Sequence, residues 1–239
     1  MDTEIENVGL NKAIDTLEGL DNYRNWILDE FRPHLAGHTV EIGAGSGSFS
    51  KKLIEHVPTL DLVEPSHELF QLLCSRLGHK SGVQLHMLGA EKWLLDAESA
   101  SSDTVIMVNV LEHIEDDVGT LKQIHRTLRP GGALLLFVPA LRFLFSRLDL
   151  EHGHFRRYEK HELETKVQQV GFDVAGAKYV DALGIIPWLV FNKWLGRTDF
   201  NEGMVRLYDS IGIPITRFLE RLLPFPAGKN VLLIAKKRP

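Results

Sequence analysis

Three glycines, Gly43, Gly45 and Gly47, have a spacing that suggests a ligand site. They follow a short β-branched run at 39–42 and precede a helix-like stretch at 48–54. A strand that turns on glycine into a helix presents free backbone N–H groups and the positive end of the helix to a ligand. The missing side chains let a cofactor lie against the main chain, although an ordinary glycine turn can have the same local sequence.

Two carboxylates accompany the glycine turn. Glu64 ends the next strand-like segment, where a carboxylate can accept hydrogen bonds from both hydroxyl groups of a cofactor ribose. Because Pro65 follows it, Glu64 could instead be an acidic residue at the N-terminus of a helix. Glu41 lies within the apolar strand, where an unpaired charge is unfavourable, so a cationic ligand could be its partner.

Two classes of cofactor fit a glycine turn followed by an acidic strand end, namely NAD and S-adenosylmethionine. Dinucleotide sites prefer the spacing Gly-x-Gly-x-x-Gly. Here the sixth position is Ser48, and the third glycine comes one residue earlier. The spacing therefore disfavours NAD without excluding it. A sulfonium-bearing amino acid is cationic and could partner Glu41, whereas a diphosphate could not.

Three histidines are candidates for chemistry on a second molecule. His113 follows the fourth predicted strand, and His152 and His154 flank Gly153 after the fifth. Ligands collect at the carboxyl edge of a parallel sheet, so each histidine could contact an acceptor or act as a base. His113 could equally cap or pack a turn. The His152 and His154 pair lacks a third ligand of suitable spacing, so no metal site is predicted.

A basic run follows these histidines. Arg156 and Arg157 could bind a phosphate or carboxylate of an acceptor as a fork, with Tyr158 beside them. The alternative is that the two arginines pair with acidic neighbours, namely Asp149, Glu151 or Glu159.

Short apolar runs alternate with helical segments along the chain, which is typical of βαβ units and a parallel sheet. The predicted strands are 39–43, 60–64, 83–87, 104–109, 133–138, 172–180 and 230–236, and the predicted helices include 66–78, 116–128 and 160–170. This pattern predicts one α/β domain over 1–239. It would comprise an N-terminal helix at 10–32, a cofactor-binding core at 39–138, and substrate-side segments at 139–180 and 181–229.

Aromatic residues mark two segments outside that core. Tyr23 and Trp26 share one face of the N-terminal helix and could cover a cofactor or belong to the core. In the 181–229 insertion, Trp188 and Trp194 belong to a run of aromatics with a spacing of three that also includes Phe191, which predicts a helical stripe. The stripe could form a lid over an apolar acceptor, rest on a membrane surface or contact a second copy.

The composition limits the class of protein. The chain has 239 residues, 44% of them hydrophobic, and a formal net charge of −5, which argues against a general nucleic-acid binder. Cys74 is the only cysteine, so a reducing, cytoplasmic compartment is expected. No apolar run reaches the roughly 18 residues of a membrane span.

Four segments together resemble one known family. They are Val-Glu-Ile-Gly-Ala-Gly-Ser-Gly at 40–47, Leu-Val-Glu-Pro-Ser at 62–66, Val-Asn-Val-Leu-Glu-His-Ile-Glu-Asp-Asp at 108–117 and Leu-Arg-Pro-Gly-Gly at 128–132. In this order they resemble the class I S-adenosylmethionine-dependent methyltransferases. The resemblance implies S-adenosylmethionine as cofactor. It also implies a Rossmann-like seven-stranded sheet of order 3-2-1-4-5-7-6, with helices on both faces and strand 7 antiparallel.

The resemblance also assigns cofactor contacts to residues of this chain. The methionine part would lie on the first motif, and the ribose on Glu64, with Pro65 beside it. The adenine would lie by the residues after the third strand, and the end of the fourth strand would line the cofactor. The residues implied are Glu41, Gly43, Ala44, Gly45 and Gly47, then Gly89, Ala90 and Glu91, and then Asn109, Val110 and Leu111.

The acceptor is less defined. The stretch at 149–158 and the turn at 226–229 more loosely resemble methyltransferases that act in the synthesis of glycans and lipid-linked sugars, which implies a sugar hydroxyl as acceptor. An apolar quinone or fatty acid is the alternative acceptor. A dehydrogenase using NAD and an inactive cofactor-binding interaction protein are the alternatives of other classes. The protein is expected to be a monomer or homodimer, with membrane contact through 181–229 as an option.

Overall fold

The computed structural model describes residues 20–197, 202–223 and 225–238. Its strands form one sheet of order β3-β2-β1-β4-β5-β7-β6. The strands are β1 (His38–Ile42), β2 (Thr59–Val63), β3 (Val83–His86), β4 (Ser102–Val108), β5 (Leu128–Pro139), β6 (Phe172–Val180) and β7 (Asn230–Lys237). β7 runs antiparallel to β5 and β6, and the remaining pairs are parallel. The predicted sheet order and the antiparallel last strand are confirmed.

The sheet is covered by helices on both faces. The helices are α1 (Asp21–Phe31), α2 (Ser50–Leu53), α3 (His67–Leu77), α4 (Ala90–Asp96), α5 (Asp117–Thr127), α6 (Arg147–Glu151), α7 (Lys160–Gln169), α8 (Ile185–Pro187), α9 (Glu202–Leu207) and α10 (Ile213–Leu222). Of the predicted N-terminal helix at 10–32, residues 10–19 lie outside the described residues. None of the described helices has the length and apolar content needed to cross a bilayer.

Strand β5 shows why the sheet is buried. Leu134 and Leu136 belong to one hydrophobic cluster, while Leu135 and Phe137 belong to the other. Successive side chains of a strand point to opposite faces, so an uninterrupted apolar strand needs cover on both sides. Helix α5 contributes Leu121 to the first of these clusters. The result is a two-layered core around a central sheet.

Three local features differ from expectation. Helix α4 was not predicted, because its seven residues are too few for a clear helical period, yet it buries Trp93 and Leu94. Strand β5 begins at Leu128, before the predicted start at 133, and its pairing with β4 shifts register between Ser102 and Thr104. The third difference lies in the insertion at 181–229.

The aromatic stripe of the insertion does not form one helical face. Residues Trp188–Trp194 form a π-helical segment, in which residues three apart do not align because each turn is wider than in an α-helix. Trp188 packs against the core and donates from Nε1 to the carbonyl oxygen of Leu144 (3.0 Å), whereas Trp194 is 74% exposed. A second π-helical segment, Tyr208–Gly212, connects α9 to α10.

The carboxyl ends of β1 to β5 define one rim of the sheet. The glycine turn follows β1, Glu64 follows β2, and Asn109 follows β4. Because β7 is antiparallel, its first residue, Asn230, reaches the same rim and pairs with Pro139 and Val180. The topology therefore brings residues from the whole chain to this edge.

Candidate functional site

The glycine turn is held at the end of β2. The N–H groups of Gly43 and Ala44 both donate to the carbonyl oxygen of Val63, at 2.8 and 3.0 Å. Gly43 and Gly45 have φ angles of +77° and +56°, which side chains rarely adopt. A β-carbon on Gly43 would lie 2.3 Å from Cγ2 of Val110, whereas one on Gly45 would meet nothing within 4 Å. Gly45 therefore leaves open space beside bare backbone.

Glu64 faces this open space and is anchored by the backbone. Its Oε2 accepts from the N–H of Gly45 and its Oε1 from the N–H of Ser66, both at 2.8 Å. Burial raises the pKa of Glu64, and these two hydrogen bonds oppose the rise. Each carboxylate oxygen can accept a second hydrogen bond. The arrangement fits the ribose role implied for Glu64.

Glu41 is buried in β1 with one hydrogen-bond partner among the described side chains. Ser50 donates from Oγ to Oε2 of Glu41 at 2.6 Å. Burial, together with the nearby charge of Glu64, raises the pKa of Glu41 to about 8, although the hydrogen bond from Ser50 opposes the rise. A cationic ligand would favour the ionised form. The predicted pairing of Glu41 with a sulfonium-bearing amino acid stays a prediction, and Glu41 is suited to it.

The adenine and cofactor-lining predictions fall on neighbouring loops. Gly89 is the N-cap of α4, Ala90 is its first residue, and Glu91 lies in its first turn. Asn109 has a φ of +52°, and its N–H donates to the carbonyl oxygen of Phe137 at 2.8 Å. Val110 touches the glycine turn as described above, and Leu111 is buried. These contacts hold the end of β4 beside the loop after β1.

The glycine turn lies beside two buried carboxylates, and this arrangement tests which cofactor fits the site. A side chain at position 45 would fill the open space beside the turn, and a phosphate would be repelled by the carboxylate of Glu64. A ligand with a cationic end and a ribose fits both features. The residues present therefore fit S-adenosylmethionine better than NAD.

The histidines predicted from separate segments come together at the rim. The ring centroids of His113 and His154 are 4.6 Å apart in an edge-to-face arrangement, and those of His152 and His154 are 6.1 Å apart. Although part of His113 reaches solvent, desolvation of its ring and the neighbouring imidazoles of His154 and His152 lower its pKa to about 4. His113 is therefore neutral at physiological pH and can accept a proton or bind a Lewis acid.

Glu112, beside His113, was not singled out from the sequence. Its side chain is fully buried, and neither carboxylate oxygen has a hydrogen-bond partner among the described residues. Burial raises its pKa to about 8, although the charge of Arg157 opposes this. One ligand atom each from Glu112, His113 and His154 lies within 4.8 Å of the other two. A carboxylate in an otherwise apolar segment was the signal available in the sequence.

Asp149 organises the segment that carries the other histidines. Its Oδ1 accepts from Nδ1 of His154 at 2.9 Å and from Nε of Arg157 at 2.8 Å. Burial acts to raise the pKa of Asp149, but the hydrogen bond from His154 and the charge of Arg157 outweigh it and lower the pKa. Arg157 also donates to the carbonyl oxygen of Ala140, and its guanidinium lies 4.3 Å from the ring centroid of Trp188.

The other two predicted substrate residues also have internal partners. Arg156 contacts Oδ2 of Asp117 at 2.8 Å, and Tyr158 donates to the same oxygen at 2.9 Å. Lys166 completes this group at 2.6 Å from Asp117. Of the alternatives considered, pairing with Asp149 is seen for Arg157. Substrate binding by Arg156, Arg157 and Tyr158 stays a prediction.

A polar cluster around Lys229 lies at the same rim. Nζ of Lys229 is 2.9 Å from Oδ2 of the buried Asp181, and its ammonium is 5.6 Å from the ring centroid of Tyr23. Tyr208 donates its hydroxyl proton to Asp181, and the Tyr23 hydroxyl donates to Oδ1 of Asn230 at 2.9 Å. Tyr23, predicted to cover the cofactor or join the core, therefore packs at the edge of the core and keeps its hydroxyl on β7.

Comparison with known proteins identifies the family. A family model described as a methyltransferase domain matches residues 22–176. The ubiquinone biosynthesis O-methyltransferase of Pseudomonas paraeruginosa is 30% identical over 116 residues, which cover 47% of this chain and 48% of that protein. The protein of the same name from Xylella fastidiosa strain M23 is 27% identical over 192 residues, covering 71% of this chain and 74% of its own.

The fold is shared with solved structures as well. A SAM-dependent methyltransferase from Archaeoglobus fulgidus superposes with a TM-score of 0.60 at 16% identity, covering 90% of this chain and 94% of that one. At that identity the likeness shows the fold, while the family match covers more than half of the chain. The chain therefore belongs to the S-adenosylmethionine-dependent methyltransferases, as its four sequence motifs indicated.

Proposed function

We propose that this protein transfers a methyl group to a hydroxyl oxygen of a small aromatic acceptor. The observation that carries the proposal is the histidine group formed by His113, His152 and His154, next to the end of β4 that lines the cofactor site. Methylation of oxygen requires a route for the hydroxyl proton, and neutral imidazoles can accept it. The two relatives described above carry the name of O-methyltransferases.

The chain's own residues have three tasks. When bound, S-adenosylmethionine supplies a methyl group already activated by a positive sulfur. The glycine turn and Glu64 hold the donor, and the helices around the rim exclude water. The histidine group lies where the acceptor's hydroxyl proton has to leave. Asp149 fixes the orientation of His154, so that its Nε2 is the free nitrogen.

Apolar surface near the histidines supports an aromatic acceptor. A recess of about 400 Å³ is lined by two aromatic side chains, Phe145 and Phe155, and by five charged ones, Arg142, Arg156, Arg157, Glu162 and Lys166. Phe155 directly follows His154 and is 52% exposed. None of the three histidines lines this recess or a larger cleft of about 720 Å³ between α1, α2 and α10, and the recess is preferred as the acceptor site because Phe155 directly follows His154.

A sugar or lipid-linked glycan hydroxyl is the second candidate acceptor. It rests on the sequence stretch at 149–158, and neither of the named relatives acts on a sugar by its name. The arginines expected to bind a sugar phosphate contact Asp117 and Asp149 instead. The aromatic acceptor is therefore preferred.

The test is methyl transfer from labelled S-adenosylmethionine to two panels of acceptors, hydroxylated aromatics and sugars. We expect label in the aromatic panel, and a loss of about 10²–10⁴-fold in rate when His154 is changed to alanine. His161→Ala is the matched control, because this histidine is exposed on α7 and its Nδ1 lies 3.7 Å from Oε2 of Glu164. Label in sugars alone, or equal rates in the two variants, would contradict the proposal.

We further propose that the protein works in the cytoplasm, at the surface of a membrane. The exposed charged side chains among the described residues of the insertion are all basic, namely Lys193, Arg197, Arg206 and Arg221. They accompany exposed apolar residues such as Ile215 and Phe218 on α10. Basic and apolar groups on one element favour an anionic lipid surface.

A further inference from the structure

The cofactor site does not account for the burial of the Glu112 carboxylate. This carboxylate is fully buried and has no hydrogen-bond partner among the described residues. A buried carboxylate is normally paired, hydrogen-bonded or bound to a metal. A ligand atom of each of His113 and His154 lies within 4.8 Å of a carboxylate oxygen of Glu112.

We propose that Glu112, His113 and His154 bind one divalent transition-metal ion at the rim of the sheet. One potential ligand atom from each lies within 4.8 Å of the other two. Three ligands that converge on one point, with at least one position open, are the arrangement of metal sites that also bind a substrate or water.

The backbone holds the three ligands in place. Glu112 and His113 lie on the short helical turn Leu111–His113 after β4, and the N–H of His113 donates to the carbonyl oxygen of Val110 at 2.9 Å. The N–H of Phe155, next to His154, donates to the carbonyl oxygen of Glu112, also at 2.9 Å. The two ligand-bearing segments are therefore tied directly to each other.

Asp149 prepares His154 for a metal. It accepts from Nδ1 of His154 at 2.9 Å, which leaves Nε2 as the nitrogen with a free lone pair. A carboxylate on the far nitrogen is the usual companion of a metal-bound histidine, because it fixes the tautomer and the ring orientation. Asp149 is itself fixed by Arg157 and by the backbone N–H of Ser146.

The ligand types indicate the class of metal. Two imidazoles and one carboxylate suit zinc, cobalt, manganese or ferrous iron, whereas magnesium and calcium prefer oxygen ligands alone. The sequence disfavoured a metal because His152 and His154 had no third partner at close spacing. In the proposed site the further ligands beside His154 are Glu112 and His113, which come about forty residues earlier in the chain.

The role of the ion rests on the proposed function. A metal at this point can bind the acceptor's hydroxyl oxygen and lower the pKa of that hydroxyl, so that its proton leaves more easily. Because the ion would occupy a nitrogen of His113 and of His154, the member of the histidine group left to take the proton is His152, whose ring is 6.1 Å from that of His154.

The experiment is a titration of metal-free protein, without a histidine tag, with Co²⁺ as a spectroscopic probe for the zinc class. We expect one equivalent to bind and to give visible d–d absorption. Glu112→Gln and His154→Ala should each weaken binding by more than about 100-fold, since even residues that only support a ligand account for about 10–100-fold. His161→Ala, on an exposed histidine, should bind as the unchanged protein does.

Circular dichroism and S-adenosylhomocysteine binding report whether each variant is folded. Glu112→Gln keeps the shape of the side chain and replaces a buried carboxyl group whose pKa is about 8 with a neutral amide, so it should fold. The inference is overturned if the unchanged protein binds no Co²⁺. It is also overturned if the Glu112→Gln and His154→Ala variants bind Co²⁺ as tightly as the unchanged protein does. Metal binding without methylation of aromatic hydroxyls would overturn the proposed function alone, and methylation by a protein that binds no metal would overturn this inference alone.

Discussion

At the scale of single residues, Glu41 and Glu64 show how two carboxylates near one turn acquire different properties. Glu64 accepts two backbone N–H groups, which favour its charged form, while Glu41 has one hydroxyl donor and is buried within the sheet. Both could be selected from the sequence, because their positions follow from the strand and the glycines next to them. Glu112 was not selected, because His154, one of the two histidines near it in the fold, comes about forty residues later in the chain.

Replacing Glu64 by alanine should weaken binding of the cofactor. The loss of hydrogen bonds to a charged acceptor is worth about 1–3 kcal/mol, or roughly 5–150-fold in the dissociation constant. Calorimetric titration with S-adenosylhomocysteine measures this change. Glu98→Ala, at an exposed glutamate away from the glycine turn, is the control. An unchanged dissociation constant for Glu64→Ala would refute the ribose assignment.

The raised pKa of Glu41 predicts that the affinity of the protein for its cofactor depends on pH. In the free protein its pKa is raised to about 8, so below that pH it carries a proton. A cationic ligand lowers this pKa, so the proton has to leave on binding. Affinity for S-adenosylmethionine should therefore rise with pH, by up to about tenfold per unit, and level off above pH 8.

The measurement is a series of titrations on both sides of this pKa, in buffers of different ionisation enthalpy. Proton release should appear as a buffer-dependent heat. Glu41→Gln keeps the shape of the side chain but cannot ionise, so this variant should lose the released proton and the pH dependence that it causes. The same pH profile in both proteins would assign the effect to another group.

At the scale of secondary-structure elements, the local sequence predicted the strands well but predicted the structure of the insertion poorly. The predicted strand at 172–180 matches β6, because a strand needs only a short apolar run between turn residues. Helix α4 and the π-helical segment Trp188–Trp194 were missed, since their form is decided by what they pack against. Trp188 turns inward because its indole N–H finds the carbonyl oxygen of Leu144.

The glycine turn allows a matched pair of substitutions. Gly45 and Gly131 both have positive φ angles, +56° and +78°, and a β-carbon on either would meet nothing within 4 Å. Gly45→Ala and Gly131→Ala should therefore destabilise the protein similarly, by about 1–2 kcal/mol of backbone strain. Only Gly45→Ala should also weaken S-adenosylhomocysteine binding, because its methyl group would fill the cofactor's space.

Thermal unfolding and calorimetry separate the two effects. If both variants bind the cofactor as the unchanged protein does, the glycine turn is not the cradle. If both lose binding in proportion to their stability, the loss comes from strain alone.

At the scale of the whole molecule, the rim combines groups that lie far apart in the sequence. Lys229 pairs with Asp181, and Tyr23 from α1 bonds to Asn230 of β7. These contacts follow from the antiparallel direction of β7, which places its first residue at the rim. The family resemblance predicted that topology, but side-chain pairs across it depend on register and packing that local patterns do not contain. The glycine turn and its carboxylates could therefore be selected from the sequence, whereas contacts across the rim such as Lys229 with Asp181 could not.

The insertion predicts association with anionic membranes. On α10, Phe218 is 61% exposed and Ile215 is 48% exposed, and Arg221 lies one turn further along. Burying an aromatic side chain in the lipid interface contributes about 1.5–3 kcal/mol, so Phe218→Glu should lower vesicle partitioning by at least about tenfold. Leu95→Glu is a matched control, because Leu95 is 65% exposed on α4, outside the insertion. Co-sedimentation with phosphatidylglycerol vesicles measures the effect, which should weaken as salt screens the arginines. Equal partitioning of the two variants would show that α10 does not contact the membrane and would favour its use as a lid over the acceptor.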